Sequence, residues 1–290
     1  MSDPDQLQVD LTSFGGVRIS VEVRLPKRPI CAIVLCHGVC EHRGRYARFI
    51  NALNQASIAS IGFDFRGHGT SSGKRCHVER FDDYLCDLEQ VTRYVEELSR
   101  DRSLGTRRFL FGHSMGGVVV SRFLEAQSNE ARYDGLVLSS PGFARAVYIP
   151  KYKQVFATLL TAALPSAALQ TGIPTSAISS DLIEQRAYAT DPLVTRKVTL
   201  RWFAEFERAG VGALNEANRL SLPIYAFAGG DDTVIRPESV ERFVDAAASS
   251  EKTYRLWHGL RHETLNERKP ERDAVTNAVI DWISARCSIK

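Results

Sequence analysis

Residues 108–117 read Arg-Phe-Leu-Phe-Gly-His-Ser-Met-Gly-Gly. Residues 108–111 form a short apolar run that reads as a strand, and residues 118–126 have the apolar rhythm of a helix. Between them, Gly112-His113-Ser114-Met115-Gly116 fits the pattern Gly-x-Ser-x-Gly. In that context the serine sits in a sharp, strained turn between strand and helix. Gly112 and Gly116 let neighbouring backbone approach closely, and Gly117 lets the helix pack tightly. With the helix starting near Met115, the Ser114 hydroxyl stands at its N-terminus, where developing negative charge is favoured.

Outward from this turn the same alternation continues. Residues 17–25 read as a strand broken by Pro26 and Pro29. Residues 30–36, ICAIVLC, are almost continuously apolar, as suits a strand covered on both faces. A helix over 46–58, a strand over 59–63, a helix over 81–98 and a strand over 135–138 complete the first part. Strands alternating with helices predict an α/β fold with a mostly parallel sheet flanked by helices. After Pro141 the rhythm changes. Residues 143–220 contain no strand of that kind; helices are expected over 152–164 and 198–209, with a loose segment over 165–180. The alternation resumes with a strand at 223–228, a helix at 238–248, a strand at 253–257 and a helix at 271–284. The expected organisation is a core built from 1–141 and 221–290, with 142–220 inserted as a helical cap. Such a cap would lie over the carboxyl edge of the sheet, where ligands bind in these folds.

Composition agrees with a globular protein. The chain has 290 residues, 44% hydrophobic and 24% charged, which excludes disordered and fibrous classes. Its mild net charge of +3 argues neither for nor against an anionic partner, but without a dense Lys/Arg tract no nucleic-acid partner is expected. Six cysteines stand at 31, 36, 40, 76, 86 and 287, too few for a disulfide scaffold. Cys31 and Cys36 fit as buried small hydrophobes, whereas Cys40 and Cys76 fall in loops where exposure is open to them. Cys36, His37, Cys40 and His42 lack the two separated pairs of a structural zinc site, so no metal is expected. The start, Met1-Ser2-Asp3-Pro4-Asp5, lacks a basic region and an apolar core, so no secretory signal is expected. With no apolar run long enough to span a bilayer, the expected location is cytoplasmic, at most peripheral to a membrane.

A serine hydroxyl needs a base. His113 adjoins Ser114 but should point away from it, into the layer beneath. His37 and His68 follow early strands and read as loop braces. His258 and His262 both follow the strand ending at Trp257. His262, in a loop before the last helix, is the preferred base. An orienting acid belongs after the strand at 223–228, where Asp231 and Asp232 are both candidates and spacing does not choose between them. An oxyanion needs backbone N–H donors. Met115, the residue after the nucleophile, supplies one. Val39 in the loop His37-Gly38-Val39 is the choice for the other, with Gly38 permitting the backbone turn.

These residues resemble the α/β-hydrolase superfamily, and within it the monoacylglycerol lipase and lysophospholipase group. His37-Gly38-Val39-Cys40-Glu41-His42-Arg43-Gly44-Arg45-Tyr46 resembles that group's H-G-x-x-E-H-x-x-R-Y loop. Asp64-Phe65-Arg66-Gly67-His68-Gly69-Thr70-Ser71 resembles its D-x-R-G-H-G-x-S turn, and Gly112 to Gly117 its serine elbow. Ser139-Ser140-Pro141 resembles the exit into the cap, Asp191-Pro192-Leu193-Val194 a segment late in it, and His262-Glu263 the element carrying the base. The pattern G-x-x-D-x-hydrophobic, from Gly229 to Val234, selects Asp232 as the acid by analogy. The resemblance implies a serine hydrolase with Ser114, Asp232 and His262 as its triad. The implied substrates are single-chain acyl esters such as monoacylglycerols or lysophospholipids, cleaved through an acyl-enzyme with no cofactor. Other esterase, lactonase, thioesterase or acyltransferase chemistry would use the same residues; a non-catalytic binding protein on this fold is the remaining alternative, against which the filled triad and oxyanion positions argue. The sequence departs from the group at Cys40 and Arg43, both expected at the pocket rim. The Ala/Leu-rich stretch 156–169 has three readings: a wall for an acyl chain, transient contact with a membrane surface, or simple packing of the cap onto the sheet domain.

Overall fold

The structure, a computed structural model, describes residues 5–101, 104–105, 107–127, 132–146, 161 and 163–288. Its strands are β1 (Asp5–Ser13), β2 (Val17–Leu25), β3 (Cys31–Cys36), β4 (Ile58–Phe63), β5 (Arg107–His113), β6 (Gly135–Ser139), β7 (Ala168–Gln170), β8 (Lys197–Thr199), β9 (Ile224–Gly229) and β10 (Lys252–Trp257). The α-helices among the described residues are α1 (Ala47–Gln55), α2 (Asp82–Asp101), α3 (Met115–Gln127), α4 (Thr175–Ile178), α5 (Leu182–Thr190), α6 (Leu200–Glu216), α7 (Pro237–Ala246) and α8 (Lys269–Cys287).

Eight strands form one sheet in the order β1-β2-β4-β3-β5-β6-β9-β10. β1 and β2 pair antiparallel, as do β2 and β4; every pairing from β4 to β10 is parallel. The continuous apolar run at β3 follows from its central place. Ala32, Val34 and Cys36 enter one hydrophobic layer with α2 and α3, while Cys31, Ile33 and Leu35 enter the opposite layer with α1 and α8. A strand covered on both faces has no polar side to alternate. α3 is buried along its length, with Val118, Val119, Val120 and Phe123 all inaccessible to solvent.

The structure departs from the sequence reading in four places. β1 was not expected; it forms a hairpin with β2, turning at Gly15 and Gly16, both with positive φ. The helix expected to reach residue 58 ends at Gln55. Ser57 takes a left-handed φ of 61° and directs Ile58 into β4. Between β6 and β9 the chain does contain strands, since β7 and β8 form a small antiparallel pair. β7 and α4 occupy part of the segment expected to be loose, and α5 follows it. Most of the helix expected over 152–164 lies outside the described residues.

The carboxyl ends of β3, β5, β6, β9 and β10 all point to one edge of the sheet, as parallel pairing requires. The loops leaving that edge carry Gly38 and Val39, Ser114, Pro141, Asp232 and His262 respectively.

Candidate active site

Ser114 joins β5 to α3 in a left-handed conformation, φ 51°, which is uncommon for a residue with a side chain. Backbone bonds hold it there. Its N–H donates to Ser139 O at 3.0 Å, and its carbonyl accepts from Gly142 N at 2.9 Å and Gly117 N at 3.1 Å. The flanking glycines are required by close approach. A Cβ at Gly112 would stand 2.5 Å from the Gly116 carbonyl oxygen, and one at Gly116 would fall on the Cys36 carbonyl.

The loops after β9 and β10 bring two further residues to the serine. His262 Nε2 lies 3.0 Å from Ser114 Oγ, and His262 Nδ1 lies 2.7 Å from Asp232 Oδ2. All three residues are buried. The Asp232 carboxylate accepts from Nδ1–H, which leaves Nε2 free to accept the serine proton. Asp232 Oδ1 accepts from the Val234 and Ile235 N–H groups at 2.8 and 3.0 Å. Burial pushes the Asp232 carboxyl up, but His262 and these two donors hold it below the usual carboxylate range. Burial likewise pushes the His262 imidazole down, and the Asp232 charge and hydrogen bond more than reverse this. Asp231 is exposed; its N–H donates to Leu260 O, and its carboxylate makes no bond to His262. His258 is also exposed, and the serine hydroxyl bonds to His262 instead.

The Val39 and Met115 N–H groups have no protein acceptor among the described residues. Gly38 packs against the serine itself. A Cβ there would stand 3.3 Å from Ser114 Cβ and 2.7 Å from Glu41 Oε1. His37 braces this loop. Its Nδ1–H donates to Gly38 O at 2.7 Å, and its Nε2 accepts from Phe65 N at 3.1 Å. Burial, with His68 nearby, pushes His37 down to about 3, so it stays neutral. His113 turns toward Ser139 O, 3.0 Å from its Nδ1, and its ring centroid lies 4.9 Å from that of His262. Burial and His262 push His113 down to about 3 as well, so it stays neutral beside His262.

A charged network that local sequence does not reveal lies beneath these loops. Glu41 Oε1 accepts from Gly38 N at 2.5 Å and from Tyr46 Oη at 2.8 Å. Arg45 lies between two carboxylates, 3.2 Å from Glu41 Oε2 and paired through two nitrogens with Glu263 at 2.5 and 2.7 Å. Its guanidinium also covers the Tyr188 ring of α5 at 4.7 Å. Arg45 thus ties the loop carrying Gly38 and Val39 to Glu263, the residue after His262. The four-residue spacing of Glu41 and Arg45 hinted at an ion pair; the partner 218 residues away did not show in the sequence. Burial, opposed by Arg45 and reinforced by Glu263, pushes the Glu41 carboxyl up, whereas Arg45 holds Glu263 down against burial. Replacing Arg45 by Met leaves two buried carboxylates without their cation. The expected loss of unfolding free energy is about 3–5 kcal/mol, measured by urea denaturation.

Ser114 and His262 open into a cavity of about 540 Å³. Val39, Ile173, Ile178, Val198, Trp202, Phe203, Phe206, Val234 and Ile235 line it with apolar surface. Cys40 and Arg43 do not line it, contrary to expectation. Arg43 turns to Asp64, with its backbone N–H 2.9 Å from Oδ1 and its guanidinium paired with the same carboxylate. Cys40 is buried against Cys76, which is buried too, because the segment around β8 covers both loops. His42 Nε2 meets Asp191 Oδ2 at 2.9 Å, so the first loop and the segment at 191–194 are in contact. The proposed acyl wall at 156–169 lies largely outside the described residues. Within them, Thr161 is buried and Leu164 and Leu169 are exposed. No group of metal-ligating side chains occurs among the described residues.

Comparison with known proteins follows the same lines. A hydrolase family described as serine aminopeptidase, S33, matches residues 27–269. Phospholipase YtpA of Bacillus subtilis is 32% identical over 254 residues, covering 87% of this chain and 94% of that protein. Human monoglyceride lipase is 30% identical over 270 residues, covering 89% of this chain and 84% of that protein. The crystal structure of a monoacylglycerol lipase from Paleococcus ferrophilus superposes with a TM-score of 0.81 at 27% identity, covering 93% of this chain and 99% of that one. With the sheet, the serine elbow and these likenesses together, the chain belongs to the serine aminopeptidase S33 family of α/β-hydrolases.

Proposed function

We propose that this protein hydrolyses the carboxylic ester of single-acyl-chain lipids, monoacylglycerols or lysophospholipids, through an acyl-enzyme on Ser114. The observation that carries this reading is the apolar cavity of about 540 Å³ opening on the Ser114–His262 pair. Its size lies within the roughly 300–1,000 Å³ of pockets that enclose a small ligand. Ser114 Oγ attacks the ester carbonyl as its proton passes to His262 Nε2, and Asp232 stabilises the imidazolium. The Val39 and Met115 N–H groups receive the oxyanion, each contributing about 3 kcal/mol. His262 then protonates the leaving alcohol, and later takes a proton from the water that releases the fatty acid. The described residues between β6 and β9, among them Ile173, Ile178, Trp202 and Phe206, act as the cap that encloses the acyl chain. The adjacent side chains of Leu182 and Ile183, each 75% exposed, support transient contact of that cap with a lipid surface.

Peptide hydrolysis, which the family description suggests, needs an anion to hold a substrate's ammonium group. Glu41 and Glu263 do line the cavity, but Arg45 and the Gly38, Tyr46 and Asn266 donors already occupy their oxygens. The test is turnover across monoacylglycerols of increasing chain length, with lysophosphatidylcholine, short soluble esters and aminoacyl anilides alongside. The expected result is a maximum at long acyl chains. A maximum at the shortest esters or at anilides would overturn the lipid reading.

A further inference from the structure

Four residues outside the proposed triad form a compact sulfur site. Cys40, in the loop after β3, and Cys76, in the loop after β4, bring their Sγ atoms within 3.5 Å of one another. Both side chains are buried. His68 Nδ1 lies 3.0 Å from Arg66 O and donates to it, so its Nε2 lone pair faces Cys76 Sγ at 3.5 Å. Thr195 Oγ1 stands 3.2 Å from the same sulfur. The hydrogen bond from Cys40 pulls the Cys76 thiol down, burial opposes it, and His68 adds to the pull.

A positively charged surface cavity borders this pair. Thr195 and Lys197, which touch the sulfurs, also line a surface cavity of about 440 Å³, together with Lys74, Arg75 and Arg196. None of those four cations has a carboxylate partner among the described residues. A thiolate below them is favoured electrostatically. The same two cysteines anchor the segment around β8. Cys40 O accepts from Thr195 N at 3.0 Å, and Cys76 O accepts from Thr199 N at 3.1 Å.

We propose that Cys40 and Cys76 are a reversible dithiol switch, closed to a disulfide by a hydroperoxide, that lowers turnover at Ser114. The effect on turnover rests on the ester-hydrolase reading above; the disulfide itself does not. His68 takes the Cys76 proton, and the Cys76 thiolate attacks one peroxide oxygen. The O–O bond breaks, leaving a sulfenic acid at Cys76 and one water, or an alcohol from an organic hydroperoxide. The Cys40 sulfur then displaces that oxygen as a second water while losing its proton. Two electrons leave the sulfurs and two reduce the peroxide. The sulfurs must close from 3.5 Å to a bond of about 2.05 Å. Cys40 follows Val39 directly, so its movement displaces the Val39 N–H. Misplacement of about 1 Å at such a group costs on the order of 100-fold in rate.

The test treats the full-length protein with hydrogen peroxide and maps its non-reduced peptides by mass spectrometry, with ester turnover followed in parallel. The expected result is a Cys40–Cys76 cross-link, a fall of tenfold or more in kcat with little change in KM, and recovery of both with dithiothreitol. Cys76→Ser is expected to keep its turnover through the same treatment. Cys40→Ala serves the same purpose if Cys76→Ser does not fold. Oxidation without that cross-link, or an equal loss of turnover in the protected variants, would overturn the proposal. If reduced protein has no ester turnover, the ester-hydrolase reading fails and the peptide map alone decides the dithiol.

Discussion

Ser114→Ala is expected to reduce ester turnover by about 10⁴-fold or more while leaving the folded state in place. The size follows from the chemistry. Without Oγ no acyl-enzyme forms, and what remains is attack by water in a site that still offers the Val39 and Met115 N–H donors. The fold is expected to persist because the turn is held by backbone bonds to Ser139, Gly142 and Gly117, none of which uses the hydroxyl. Circular dichroism and urea denaturation of the variant separate loss of chemistry from loss of structure. Turnover within tenfold of wild type would remove Ser114 from the reaction.

The second large effect is expected at Asp232, and its contrast with Asp231 gives it force. Asp232→Asn removes the charge that fixes the His262 tautomer and supports the imidazolium, with an expected loss of about 10⁴-fold in kcat. Asp231→Asn is expected to stay close to wild type, because Asp231 is exposed and, among the described residues, bonds through its backbone N–H to Leu260 O and not through its carboxylate. The pH profile supplies an independent sign. His262 must be neutral to accept the serine proton, and Asp232 raises its pKa, so activity is lost as pH falls through a value above the ordinary imidazole. In Asp232→Asn the lowering by burial is left unopposed by that charge, so the acid limb of kcat/KM is expected to move to lower pH. An unmoved limb, or equal losses at the two aspartates, would contradict the role given to Asp232.

Most of the sheet was legible because its strands are buried on both faces. Runs such as 30–36 and 108–111 carry an apolar signal that local sequence alone reveals. β1 was legible in principle, since Leu7, Val9 and Leu11 alternate with polar residues and pack against the core, but its one-sided pattern is weaker. The three-residue strands β7 and β8 are too short to show any period. The helix boundary at Gln55 turns on the backbone of Ser57, which side-chain periodicity does not report.

At the site, the serine elbow was legible because the strand, the glycines and the helix are contiguous. His262 was reached from its place after the last strand. Choosing Asp232 over Asp231 needed family resemblance, because the distinction lies in which side chain the turn after β9 buries. Arg45 between Glu41 and Glu263, and Cys40 against Cys76, are tertiary meetings of distant loops. Such contacts leave no local pattern. Exposure of Cys40 and Cys76 was open on sequence grounds because loops usually lie at the surface. Here the segment around β8 covers them, and its backbone N–H groups bond to their carbonyls.

The most direct measurement is to trap the intermediate. Wild-type protein is mixed with a slowly deacylating long-chain aryl ester, quenched in acid, digested and analysed by mass spectrometry. The predicted result is one acyl group, carried on the peptide containing Ser114 and absent from Ser114→Ala. Turnover of the ester with no acylated peptide, or with the acyl group on another residue, would contradict an acyl-enzyme at Ser114.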